Sequence, residues 1–87
     1  MAKTRAELIG DLAQRAGVPS LTATETESIL ALAAVAAHGT GDRTSAPLVS
    51  FLAGLAAASA DDRAQSLDSF RRLTAELAPT RSEEDQG

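Results

Sequence analysis

Cysteine, tryptophan and tyrosine are all missing from the 87 residues, and phenylalanine occurs only twice, as Phe51 and Phe70. Without cysteine the chain has no disulfides, and most structural zinc sites, which rely on thiolate ligands, are excluded. Without other aromatics the interior has to be aliphatic, and there 19 alanines outnumber 11 leucines. Such a core fills close helix contacts and little else. A domain this small usually draws only about 3–5 kcal/mol from its core, so dimerisation or docking on a larger partner is expected to add stability.

Positive charge is also scarce. Eight basic residues against 12 acidic ones give a net charge of −4 and a pI near 4.7. That field does not recruit phosphates, so neither nucleic acid nor an anionic membrane surface is an expected partner. No window approaches the ~18 uninterrupted apolar residues of a membrane helix. The N-terminus runs from Met1 straight into charged residues, without the apolar core of a signal peptide, and a cytoplasmic location is expected. Seven of the eight basic residues are arginine, which with the alanine excess points to a GC-rich bacterial genome.

What is present reads as helix. Thr4 followed by Glu7 has the form of a capping box, and Leu8, Ile9, Leu12, Ala13 and Ala16 make one apolar stripe before Gly17 and Val18-Pro19 stop it. The first helix should span 5–16. Thr22 with Glu25 and Thr24 with Glu27 are overlapping capping boxes, so a second helix begins near 23 or 25 and runs to His38, with Gly39 as its stop. Its buried stripe is expected to be Ile29, Leu30, Ala33, Ala34 and Ala37. Residues 39–45 read as a loop of turn formers.

Ser45 can cap a third helix with Pro47 in its first turn, and Leu48, Phe51, Leu52 and Leu55 are expected to face inward. Gly54 with Ala58, and Ala53 with Ala57, put small residues four apart and allow another helix to approach closely, which makes Gly54, Ala57 and Ala58 candidate interface positions. Ser59 and Asp62 cap a fourth helix that carries Ala60, Ala64, Leu67, Phe70, Thr74 and Leu77 at helical spacing and is ended by Pro79. The expectation is an all-α fold, a compact bundle of four short antiparallel helices near 5–16, 24–38, 47–58 and 60–78, with residues 1–79 as one domain and 80–87 as a disordered acidic tail. Leu8, Leu12, Leu30, Phe51, Leu52, Leu55, Leu67 and Phe70 form the expected core. If Phe51 is fully buried, truncating it to alanine costs about 3–5 kcal/mol.

Chemistry has few places to reside. His38 is the only histidine, and one turn-forming loop offers neither a rigid nucleophile–base pair nor oxyanion donors, so no catalytic residues are assigned and no enzyme is expected. No metal site is expected either, since the carboxylates are scattered and Asp61-Asp62 suit the first turn of a helix. The remaining possibility is anion binding, in which His38, Arg43 and Ser45 join the free N–H groups at the start of the third helix around a phosphate or carboxylate. The plainer alternative pairs Arg43 with Asp42 or with a helix C-terminus. Asp68-Ser69-Phe70 echoes the attachment motif of acyl carrier proteins, but it lies inside the fourth helix and not at the start of the second.

The run Ala37-His38-Gly39, Arg43, Ala46-Pro47-Leu48, Phe51-Leu52 and Gly54-Leu55-Ala56 resembles the central signature of a small actinobacterial helical domain of unknown function. Members occur alone or fused behind molybdenum cofactor guanylyltransferase domains. The resemblance covers residues 29–60 and implies an accessory connection to molybdopterin dinucleotide synthesis without implying any activity. It implies no cofactor. The thin core and the Gly54/Ala58 face lead to the expectation of a non-catalytic interaction domain that self-associates or docks on a larger enzyme, such as that guanylyltransferase. Two departures stand out: the first helix lacks the family's common tryptophan, and the loop between His38 and Pro47 is about one residue longer.

Overall fold

Three threonine and aspartate caps set where helices begin in the computed structural model, which describes residues 3–79. Thr4 Oγ1 accepts the Glu7 N–H at 3.1 Å while Glu7 Oε1 accepts the Thr4 N–H at 2.9 Å, and α1 (Arg5–Ala16) follows. Gly17, at φ 72°, closes it. The same reciprocal pair forms between Thr22 and Glu25, at 2.8 and 3.1 Å, which fixes the start of α2 (Ala23–Thr40) and decides between the two overlapping boxes. Asp62 Oδ1 accepts the Gln65 N–H at 3.1 Å and starts α4 (Arg63–Leu77), three residues later than residue 60. Between them, α3 (Ser45–Ala58) begins without a side-chain cap. The N–H groups of Ser45 and Ala46 bond instead to the carbonyls of Asp42 and Arg43, at 3.0 and 3.2 Å.

One expected stop moves. α2 continues through Gly39 and ends at Gly41, whose φ of 71° takes the left-handed cap. Gly39 serves packing instead: a Cβ there would lie 2.7 Å from the Ala78 Cβ and collide with the Ala78 carbonyl oxygen. The missing side chain lets the last turn of α2 meet the end of α4.

The fold is all-α, with four helices and no strand among the described residues. α2 packs against both α3 and α4, which also touch one another, whereas α1 has little contact with the other three. The Cα framework measures 47 × 36 × 18 Å. Its thinnest dimension holds no more than two packed helices, so each helix keeps a face in water. The core is Leu32, Ala53, Ala57 and Leu67, bordered by the half-buried Ile29, Val49 and Phe70. The expected tail, 80–87, lies outside the described residues.

This core differs from the expected one. Of the eight core residues named from the sequence, Leu67 is buried and Phe70 half-buried, while Leu8, Leu12, Leu30, Phe51, Leu52 and Leu55 are exposed, as is Leu48. In α2 the buried positions are Glu25, Leu32 and Ala36, with Ile29 on the same side. The physical reason is that α2 and α3 are apolar on nearly every side, so a 3.6-residue repeat does not select which side turns inward. In α3 the selection falls to Ala53 and Ala57, whose small side chains permit close approach, and the larger residues are turned away.

Candidate functional site

Around residues 38–47 the structure builds a closed turn. Thr40 Oγ1 donates to the Ala36 carbonyl at 2.8 Å, accepts the Asp42 N–H at 3.2 Å and lies 2.8 Å from Ser45 Oγ. Asp42 Oδ1 accepts both the Thr44 N–H, at 2.9 Å, and the Thr44 hydroxyl, at 2.7 Å. Those two bonds, the hydroxyl's first, hold the Asp42 carboxyl below its ordinary range. Ser45 is thus tied to Thr40, and its N–H and that of Ala46 are spent on the carbonyls of Asp42 and Arg43. The expected anion site needs those two amides free, whereas here they are occupied and a carboxylate shares the turn. His38 and Arg43 are both exposed, and no hydrogen bond or ion pair among the described residues joins either of them to Ser45.

The other candidates divide. Ala57 is buried in the core against Leu32 and Leu67, where it serves the close helix contact within the chain, and it lines the groove that Gly54 and Ala58 border. Gly54 and Ala58 remain exposed and, with Val18, Pro19, Ile29 and Arg63, line a groove of about 300 Å³. Beside it is a part-buried polar junction. Glu25, only 4% exposed, receives Arg63 through Nε at 2.7 Å and Nη2 at 2.9 Å, and the same guanidinium reaches the Ser20 carbonyl at 3.3 Å. The Thr22 N–H is the main cause that holds the Glu25 carboxyl below the ordinary value of 4.5; burial opposes it, and Arg63 adds to it. With both oxygens paired, this carboxylate fastens the starts of α2 and α4 to the 17–22 link and is not a free base.

One face of α3 in contact with water is apolar. Leu48 is 66% exposed, Phe51 68%, Leu52 55% and Leu55 56%. At 3.6 residues per turn these four fall within an arc of roughly 100°, opposite the buried Ala53 and Ala57. Leu73 and Leu77 of α4 continue the surface, and with Val49, Leu52 and Phe70 they border a shallow groove of about 230 Å³. No charged residue occurs from 44 to 60. The sequence signal for this face is that absence of charge around the whole circumference of α3, which a search for one inward stripe overlooks.

No three histidine or acidic residues among those described come together as a metal site, and no described helix is long and apolar enough to cross a membrane. Fold and surface together define a small all-α domain that exposes an apolar helix face. The model of the family described as "Domain of unknown function (DUF6457)" matches residues 2–86, and the chain belongs to that family. The match extends the expectation of a helical domain of unknown function from residues 29–60 to almost the whole chain. No curated protein and no solved structure matches it.

Proposed function

We propose that this chain is a non-catalytic protein-interaction domain that works through the apolar face of α3. The observation that carries the reading is the exposure of Leu48, Phe51, Leu52 and Leu55 on a helix with no charge of its own. Contiguous apolar surface on this scale is uncommon on a monomer and marks surfaces that bind protein. Closing it against a partner removes water from large side chains that the thin core leaves out. The resemblance to actinobacterial domains found alone or fused behind molybdenum cofactor guanylyltransferases supports an accessory role in guanylylation, with an enzyme of that type as the larger partner and the cytoplasm as the location. Anion binding by His38, Arg43 and Ser45 is the weaker reading, because the amides it needs are already bonded.

The test is Phe51→Glu. The variant should keep its helical circular dichroism, since residue 51 faces water, yet elute from size exclusion with light scattering as a monomer where the unaltered chain elutes as a complex with itself or with a guanylyltransferase domain. Identical association by the two proteins would overturn the reading.

A further inference from the structure

We infer that the occupant of the α3 face is a second copy of this chain, docked antiparallel across a two-fold axis beside Phe51 and Leu52. The inference rests on the reading of α3 as an interaction face and deepens it by naming what covers that face. Its first support is the pattern itself. Large residues stand at 48, 51, 52 and 55, and reversal about the midpoint of 51 and 52 exchanges Leu48 with Leu55 and Phe51 with Leu52. A two-fold interface sets one patch against itself, so the patch has to fit its own reversal. This one does, apolar for apolar and at matching heights.

Charge supplies the second support. Arg43 lies as far before that midpoint as Ala60 lies after it, and Asp61 and Asp62 follow Ala60. Antiparallel pairing of α3 therefore runs the Arg43 end of each helix toward the Asp61-Asp62 end of the other. Arg43 forms no ion pair among the described residues, and the carboxylate of neighbouring Asp42 is occupied by Thr44. Parallel pairing would set Arg43 against Arg43 and Asp61 against Asp61, and would align the two helix dipoles unfavourably.

Area supplies the third. Leu48, Phe51, Leu52, Leu55, Leu73 and Leu77 are between 48% and 78% exposed. At about 150–200 Å² for a fully exposed large residue they present on the order of 600–700 Å². A specific interface buries about 800 Å² per partner, and these six side chains supply most of that area.

The experiment uses the full chain, and its lack of cysteine makes single substitutions clean reporters. Sedimentation velocity over a concentration series should show a monomer–dimer equilibrium, weakened at least 100-fold by Phe51→Glu. Mixed L48C and L55C proteins should cross-link to each other with a short bis-maleimide at least tenfold more than either does alone, while L52C should cross-link to itself. A dimer in which L48C links mainly to L48C overturns the antiparallel arrangement. A dimer indifferent to Phe51→Glu overturns both this inference and the reading beneath it. If the chain is a monomer throughout, calorimetric titration with a guanylyltransferase domain separates the two. Binding lost on Phe51→Glu overturns only the second copy; no binding overturns the interaction face as well.

Discussion

On one side of α3, Ala53 and Ala57 are closed against Leu32 and Leu67; on the other, Leu48, Phe51, Leu52 and Leu55 stand in water. Both sides are apolar, so hydrophobicity alone does not distinguish inside from outside. Side-chain size does. Alanine at 53 and 57 lets α3 lie close to its neighbours, at a separation that a row of leucines would enlarge. The bulkier row is then left over, with more than half of each residue in water. Within one helix, the small face is matched to the chain and the large face is unmatched within it.

The sharpest way to break that comparison is at the core. Leu32 is fully buried, and Leu32→Ala should cost about 4 kcal/mol, enough to leave much of so small a domain unfolded. Urea denaturation followed by circular dichroism measures it; a loss below about 1 kcal/mol would mean that Leu32 is not the centre. Glu25→Ala should follow at about 3 kcal/mol, toward the low end for a broken buried ion pair because Arg63 keeps some access to water. Acid tests the same contact. The folded carboxyl titrates below 4.5, so its contribution is fully present above 4.5 and is lost as pH falls through the folded value. Glu7, held down by the Thr4 amide, Asp42 by Thr44, and Asp68 by Arg71 and Arg72, act in the same direction. The melting temperature should be flat above about pH 5 and fall below it, and less steeply in Glu25→Gln.

Ala53→Leu forces bulk into the close contact and should cost about 1–3 kcal/mol, although it makes the helix more hydrophobic. Phe51→Ala should change the stability of the monomer by less than about 0.5 kcal/mol, measured at concentrations too dilute for association. That is well under the 3–5 kcal/mol expected of a buried phenylalanine. If Phe51→Ala costs more than Ala53→Leu in dilute solution, the two faces of α3 have been assigned the wrong way round.

Much of the fold is legible in the residues, because helix starts depend on neighbours three apart. Thr4 with Glu7, Thr22 with Glu25, and Asp62 all sit where capping requires them. The choice between Thr22 and Thr24 is not local: Glu25, and not Glu27, also meets Arg63 from far along the chain. The phase of α2 and α3 is hidden for a different reason. A helix that is apolar all round carries no stripe, and the buried side of α2 includes a glutamate that a hydrophobic pattern passes over. α4 has polar and apolar sides, and there Leu67 is buried as its spacing implies. At the 38–47 segment the residue types suit an anion, but which amides stay free depends on Thr40 and Asp42 closing the turn, and composition does not report that.

Glu25 joins one contact that is local in sequence to one that is not. Its bonds to Thr22 span three residues and can form with the first turn of α2, within the sub-microsecond range of helix growth. Its bonds to Arg63 span 38 residues and have to await closure of the chain. Replacing Thr22 with alanine should therefore slow folding, whereas replacing Arg63 should leave the folding rate nearly unchanged and speed unfolding, a division that stopped-flow chevrons resolve. On that outcome one carboxylate would be both the seed of a helix and the latch that sets how long the folded state survives.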